Sequence, residues 1–231
     1  MTGSELSIVL NNQFETPSIA DALPMEFNKA RFVQNAIALV NDKPELAKQP
    51  QEKLLPGLLK GAYLGLDFFA NEAYLIPYGS DLQFSISYKG MVKLCQRFSV
   101  RPINQIYARI VRDGDEFTDG IKDNKAFINF TPKPLNDGEI IGAFAVAEYE
   151  DGDIQYEVMN KAQLNTVKAL SKSQAGAAWS KFPEEMYKKS VIRRLCKNIP
   201  LNLDTQAQKA YNDDNVIDVT AKEVSEVVNP F

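Results

Sequence analysis

The chain has 231 residues, 45% of them hydrophobic and 24% charged, with a net charge of −4 and no histidine. This is a globular composition, large enough for one large domain or two small ones without disulfide or metal staples. The absence of histidine excludes serine–histidine and cysteine–histidine nucleophile systems and, with no CxxC, argues against a zinc site. Neither GxxxxGKS/T nor GxGxxG occurs, so no phosphate-binding loop or dinucleotide fingerprint is present.

No apolar run reaches the roughly 18 residues of a membrane span, and Met1-Thr-Gly-Ser-Glu lacks the basic-then-apolar order of a signal peptide. Cys95 and Cys196 sit on apolar-looking segments and read as reduced core residues of a cytoplasmic protein. The charge is uneven. Residues 204–231 hold six acids and two lysines, which accounts for the whole excess. Residues 81–112 carry six Lys/Arg against one acid, and 181–197 carry six against two. Base charge concentrated in this way suits a phosphate-binding surface.

In chain order, residues 1–23 are polar with weak periodicity and read as an arm. Met25, Phe27, Phe32, Ala36, Ile37, Leu39 and Val40 predict a helix closing near Asn41-Asp42 before Pro44. Leu54, Leu55, Leu58, Leu59, Ala62, Tyr63 and Leu66 predict a second, with Pro56 in its first turn or kinking it. Leu82, Phe84, Ile86 and Tyr88 alternate with polar residues as a half-buried strand. A short helix follows through Met91, Leu94, Cys95 and Phe98, then strands at 106–111 and 126–130. Residues 140–149 and 154–158 flank Asp151-Gly152, a hairpin signal. Asn160 caps a helix through Leu170, and a last helix runs from about Pro183 to Ile199. The order predicts an α+β domain over 24–203 with a mostly antiparallel sheet, followed by an acidic, flexible tail at 204–231.

Two basic constellations stand out. On the last helix Val191, Ile192, Leu195, Cys196 and Ile199 share one face, while Lys189, Arg193 and Lys197 recur every four residues on another, with Arg194 adjoining. Like charges at i, i+4 repel by roughly a few tenths of a kcal/mol per pair, and a polyanion would relieve that. The alternative is an ordinary solvated face. Lys188 projects toward the apolar side and must snorkel, pair with an acid or line a groove. The second constellation is Tyr88-Lys89-Gly90 at a strand end, with Lys93, Arg97 and Arg101 beyond. An aromatic beside cations is the composition of a single-strand site, and Gly90 leaves room for another backbone; Tyr88 also reads as core. Arg109 shares a strand face with Tyr107 and Val111, and either reaches the same groove or pairs with an acid. Trp179 stacks on a base or, preferably, anchors the last helix. Asp113, Asp115 and Glu116 raise a metal-dependent nuclease, but Glu148-Tyr149-Glu150 offers no partner lysine, and an acidic turn is the preferred reading. A scaffold whose basic helix meets an acidic partner is a further alternative.

The segments Leu64-Gly-Leu, Glu72-Ala-Tyr-Leu-Ile-Pro-Tyr, Phe84–Arg97 and Ile106–Phe117 occur in an order that resembles the RecT family of phage recombination proteins. Gly142–Ala147, Asp151-Gly, Tyr156-Glu-Val-Met, Ser171-Lys-Ser, Trp179 and Glu185–Pro200 extend the resemblance to about Leu23–Leu201. It implies a curved antiparallel sheet packed on helices, of single-strand annealing type. It implies ATP-independent binding of single-stranded DNA, annealing through a duplex intermediate, and assembly into rings or helical filaments. It implies no catalytic residue, no cofactor and no metal, and leaves open whether magnesium modulates assembly. A phage exonuclease and the host single-strand-binding protein are the implied partners, in the bacterial cytoplasm. Lys89, Arg97, Arg109, Arg112, Lys188, Lys189, Arg193, Arg194 and Lys197 fall on the family's basic positions. With Tyr88, Lys93 and Arg101 they make the expected DNA-binding set. Gly79-Ser-Asp is a shorter connection than the family's loop there, Pro56 interrupts a helix that usually runs on, and the tail after Leu203 has little similarity.

Overall fold

The computed structural model describes residues 2–78, 81–171 and 177–214. The chain divides into two compact units, residues 1–90 with 203–231, and residues 91–202.

The first unit opens with α1 (Gly3–Phe14), where an arm was expected. Thr2 and Glu5 form a reciprocal capping box, and Leu6, Leu10 and Phe14, four residues apart, are buried. They pack against α3 (Lys29–Asp42), which follows the short α2 (Pro17–Ala20). α3 starts at the Asn28 cap, after the Met25 and Phe27 expected in it, and ends at Asp42 as predicted, burying Phe32, Val33, Ala36, Leu39 and Val40. Rings link these helices to the rest of the unit: Phe14–Phe32 centroids are 5.9 Å apart, Phe32–Phe68 6.1 Å and Phe68–Phe84 6.3 Å. After α4 (Pro44–Ala47), α5 (Gln51–Tyr63) turns Leu54, Leu58, Leu59 and Ala62 inward. Pro56 stands inside the helix, on the exposed side of its second turn rather than in its first. β1 (Ala73–Tyr78) and β2 (Asp81–Ile86) form an antiparallel hairpin; the Gly79-Ser80 connection lies outside the described residues.

The helix α6 (Tyr88–Phe98) begins where the β2 alternation was expected to continue, and the division between units falls within it. Ser87 is the reason. Its hydroxyl accepts from the Gly90 amide at 3.1 Å, an N-cap bond, and donates to the Asn71 carbonyl at 2.7 Å. Gly90 is required by the protein itself: a Cβ there would lie 2.1 Å from the Glu72 carbonyl oxygen. The other backbone for which the sequence left room is the chain's own, at Glu72.

The second unit is built on the antiparallel sheet β3-β6-β7, comprising β3 (Ile103–Arg112), β6 (Ile140–Tyr149) and β7 (Ile154–Asn160). Between them β4 (Glu116–Lys122) and β5 (Lys125–Thr131) make a separate hairpin. The α+β class holds, and among the described residues every strand pairing is antiparallel, distributed over three small sheets. Asp151-Gly152 turns β6 into β7 with Gly152 at φ +84°. Directly opposed residues share a face of a sheet. One face carries Ile106, Ala108 and Ile110 opposite Ala147, Ala145 and Ala143, then Gln155, Glu157 and Met159. The other carries Tyr107, Arg109 and Val111 opposite Val146, Phe144 and Gly142, then Tyr156, Val158 and Asn160. The β4–β5 hairpin covers this second face with Phe117, Ile128 and Phe130. α7 (Lys161–Leu170) starts at the predicted Asn160 cap with a capping box to Gln163. α8 (Ala177–Lys181) and α9 (Pro183–Lys197) follow, and α9 packs on all three strands.

Residues 204–214, expected as flexible tail, include a helix over 205–214 that belongs to the first unit, with Ala207, Ala210, Tyr211 and Asp214 buried. The rest of the tail, 215–231, lies outside the described residues.

Two glycine substitutions separate these roles. Gly90→Ala forces the Glu72 carbonyl aside and is expected to cost at least about 1–3 kcal/mol. Gly152→Ala meets nothing within 4 Å and pays only for its positive φ, about 1 kcal/mol. Urea unfolding of the two variants should rank them in that order; equal losses would contradict the close packing at Gly90.

Candidate nucleic-acid interface

α9 is seated by its apolar residues. Tyr187, Val191, Ile192, Leu195 and Cys196 are buried, the last four on the face expected from the sequence. The partner face is the row of alanines on β6, whose small side chains let the helix come close to the strands. Gln155 Nε2 donates to the Asn198 carbonyl at 3.2 Å, and Arg194 Nε meets Glu157 at 3.1 Å, which fixes α9 to the alanine face. Trp179 is buried, stands edge-on to Tyr187 at 5.9 Å and donates to Ser171 Oγ at 3.1 Å. It anchors the helix, as preferred, and is not presented for stacking. The Ser171-Lys-Ser motif beyond Ser171 lies outside the described residues.

With one side of α9 buried, Lys189, Arg193 and Lys197 follow one another at i, i+4, i+8 along another side, half-buried at 189 and 193 and exposed at 197. α6 carries the same pattern. Because the helix starts at Tyr88, Lys89 falls into line with Lys93 and Arg97, again four residues apart. The two helices meet in the second unit, where Cys95 Sγ lies 3.7 Å from the Cys196 carbonyl and Ser99 bridges to Leu201. Both cysteines are buried and free. The hydrogen bond with Cys95, and then burial, push the Cys196 thiol far above its usual value, so it is inert core, as expected. Arg97 lies two residues from the first of these cysteines and Lys197 next to the second. Residues 91–202 carry 17 Lys/Arg against 14 Asp/Glu, a net of +3, whereas the first unit carries 9 against 16, a net of −7.

Four members of the expected set have ion-pair partners whose geometry fixes turns and element ends. Arg101 bonds Asp151 at 2.6 Å and Asp153 at 2.9 Å while lying over the Tyr149 ring at 4.2 Å, so it pins the β6–β7 turn. Arg112 pairs with Glu184 and donates to the Gly138 carbonyl at 2.6 Å, tying the end of β3 to the start of α9. Lys188 takes the acid-pairing option, with Glu185, and Arg194 pairs with Glu157. Arg109 does not share a surface with α9. It projects from the opposite face of the sheet, 5.6 Å from the Tyr107 ring, with no carboxylate partner among the described residues. Strand alternation grouped it correctly with Tyr107 and Val111, but could not reveal that the β4–β5 hairpin covers that face.

Tyr88 is half-buried beside Tyr74 of β1, whose hydroxyl pKa is raised by burial and then by Tyr88. Tyr74 was not singled out from the sequence, since only the hairpin register brings it near. The acidic turn is a loop clasp. Asp115 accepts from the amides of Arg112 at 2.8 Å and Lys133 at 3.0 Å and from Asn136 Nδ2 at 2.7 Å. Burial would raise its pKa, but these bonds outweigh burial and hold it below the usual range. No cluster of three Asp, Glu or Cys able to hold a metal occurs among the described residues, nor is any helix there long and apolar enough to cross a membrane.

The chain is an α+β protein with one run of cations along α6 (Lys89, Lys93, Arg97) and another along α9 (Lys189, Arg193, Lys197), an arrangement that suits a ligand of phosphates. Comparison with known proteins is more specific. The RecT family matches residues 30–228, and Protein RecT of Escherichia coli (strain K12) is 30% identical over 213 residues, covering 88% of this chain and 78% of that protein. The chain belongs to the RecT family.

The Arg101 clasp is testable by titration. The hydrogen bond from Arg101, and then the Asp153 amide, hold the Asp151 carboxyl below its ordinary value. A depressed folded-state pKa contributes stability above the unfolded value, and this is lost as pH falls through the folded one. Arg101→Ala should move the Asp151 midpoint up toward the ordinary value, followed by NMR of the side-chain carboxyl carbon, and shrink that acid-side loss. An unmoved midpoint would assign the depression to the turn backbone alone.

Proposed function

We propose that this protein binds single-stranded DNA through the basic rows of α6 and α9 and anneals complementary strands without ATP. The observation that carries this reading is the repetition of one device on two touching helices: three cations at i, i+4, i+8, opposite a buried apolar side. Lys89, Lys93 and Arg97 form one row and Lys189, Arg193 and Lys197 the other. Such rows meet phosphates, which carry no sequence information. Base edges stay free, so that a second strand can test its register. Tyr88 offers a ring at the head of the α6 row, and stacking on an aromatic contributes about 1–3 kcal/mol per base. The cations engaged at Arg101, Arg112, Lys188 and Arg194 support the fold in this reading, and Arg109 acts separately from α9.

No bond is made or broken. Duplex formation supplies about 1.4 kcal/mol per base step, and the protein's part is to hold single strands extended and close together. Assembly of copies into a ring or filament joins short sites into a continuous track and multiplies weak contacts. An exonuclease that exposes single strands and the host protein that coats them are the partners this reading assigns.

The test is a quenched annealing assay with two complementary oligonucleotides, without nucleotide or magnesium. Faster hybridisation than the oligonucleotides alone is expected; no acceleration would overturn the annealing reading, and magnesium-dependent shortening of labelled DNA would favour a nuclease. Arg193→Ala with Lys197→Ala is expected to lower the salt slope of single-strand binding by about one to two, since each phosphate contact contributes about 0.7. A slope identical to the parent's would remove α9 from the binding surface.

A further inference from the structure

The first part of the acidic segment is folded into the first unit, and its last described residue is the informative one. Asp204 caps the helix over 205–214: its Oδ1 accepts from the amides of Gln206 and Ala207, each at 2.9 Å. Ala207, Ala210, Tyr211 and Asp214, at i, i+3, i+4 and i+7, form the buried side. Asp213 meets Lys60 of α5 at 2.7 Å. A carboxylate on the buried side of a helix is costly unless its oxygens find donors. Asp214 is 3% exposed, and its Oδ1 accepts from the backbone amide of Ile86 at 3.0 Å and the hydroxyl of Ser85 at 3.1 Å.

Those donors are the last two residues of β2. Ser87 comes next, its amide bonded to the Glu72 carbonyl at 3.0 Å and its hydroxyl capping α6 through Gly90. Tyr88 and Lys89 follow at once. The 205–214 helix thus grips the chain immediately before the aromatic and the first cation of the α6 row.

We propose that Asp214 is a positioning residue for single-strand binding, latching the junction between β2 and α6 so that Tyr88 and Lys89 are presented in a fixed orientation. This rests on the reading above that the first turn of α6 meets the nucleic acid. A side chain held in place before binding has less freedom to lose on binding. Release of the latch is expected to weaken single-strand affinity about three- to tenfold while leaving the α9 row intact.

The experiment is a double-mutant cycle on the full chain, reading anisotropy of a labelled oligothymidylate at a temperature where circular dichroism shows every variant folded. Asp214→Ala should bind about three- to tenfold more weakly. Asp214→Asn, which keeps an oxygen to accept from Ile86, should retain most of the affinity. Asp214→Ala combined with Lys89→Ala should lose less than the sum of the two single losses, because the changes share the Lys89 contact while only Asp214→Ala also releases Tyr88. A general loss of stability would instead give additive effects. Parent-like binding by folded Asp214→Ala, or full additivity with Lys89→Ala, overturns the proposal but leaves the binding surface standing. Parent-like binding by Lys89→Ala overturns the proposal and the place of α6 in that surface together. Should Asp214→Ala not fold, Ser85→Ala, which removes one of the two donors, takes its place in the cycle with the same deciding outcomes.

Discussion

The seating of α9 on the alanine row of β6 is the contact on which the rest depends. Ala143, Ala145 and Ala147 leave the sheet face shallow, and the helix fills it with Val191, Ile192, Leu195 and Cys196. Burying a large aliphatic side chain contributes about 1.5–3 kcal/mol. The repulsion between like charges one helical turn apart is about ten times smaller. The apolar side therefore decides where the helix lies, and the cations are carried wherever that leaves them. A row that would weaken an isolated helix becomes tolerable once the sheet has fixed its opposite side.

The same competition separates two kinds of cation. Arg101, Arg112 and Arg194 have planar guanidinium groups bonded to carboxylates at turns and element ends, where directional donors suit the geometry. The row positions, Lys89, Lys93 and Arg97 on α6 and Lys189, Arg193 and Lys197 on α9, run along helix sides away from the most deeply buried residues. The net charge of −4 hides this arrangement, because acids gather in the first unit while the second is net positive. For a ligand of phosphates the local sign is what matters, and the acidic total works against loose attachment elsewhere on the molecule.

Much of this was legible in the sequence where one period ran without interruption. The 3.6-residue spacing gave α3 and α9, period two with Asp151-Gly152 gave β6 and β7, and Asn160 marked the start of α7. The failures have specific causes. The alternation through Leu82, Phe84 and Ile86 extends to Tyr88 by chance of residue type, while Ser87, a strong cap, has already started α6. That misplaced Lys89, which joins a row only when read as helical. α1 offered Leu6, Leu10 and Phe14 and a Thr2–Glu5 capping box, but polar neighbours diluted the signal. The 205–214 helix buries two alanines, a tyrosine and an aspartate, a side too short of large aliphatic residues to stand out by hydropathy. β4, with Asp119, Gly120 and Lys122, is a strand because β5 and the Phe144 face require a cover, which is tertiary information. For the same reason the sequence could list the cations but could not show which of them, such as Arg101, tie turns together.

The spacing of the rows bears on why annealing would need many copies. Cations four residues apart on a helix rise about 6 Å from one to the next, whereas a stacked strand advances about 3.4 Å per nucleotide. One row can therefore meet only about every second phosphate of such a strand, and a three-cation row ends within about 12 Å. In the proposed binding mode the grip per subunit is shallow, and a strand held this way can shift register at small cost. For a protein that must let two strands search for their match, a shallow grip repeated along an assembly is better than a deep one in a single copy. Weak contacts in series hold the strand as a whole, while each remains free to open when a base pair forms beside it. Deeper neutralisation, with Arg101 and Arg112 released from their carboxylates, would slow that exchange and loosen the turns those arginines hold.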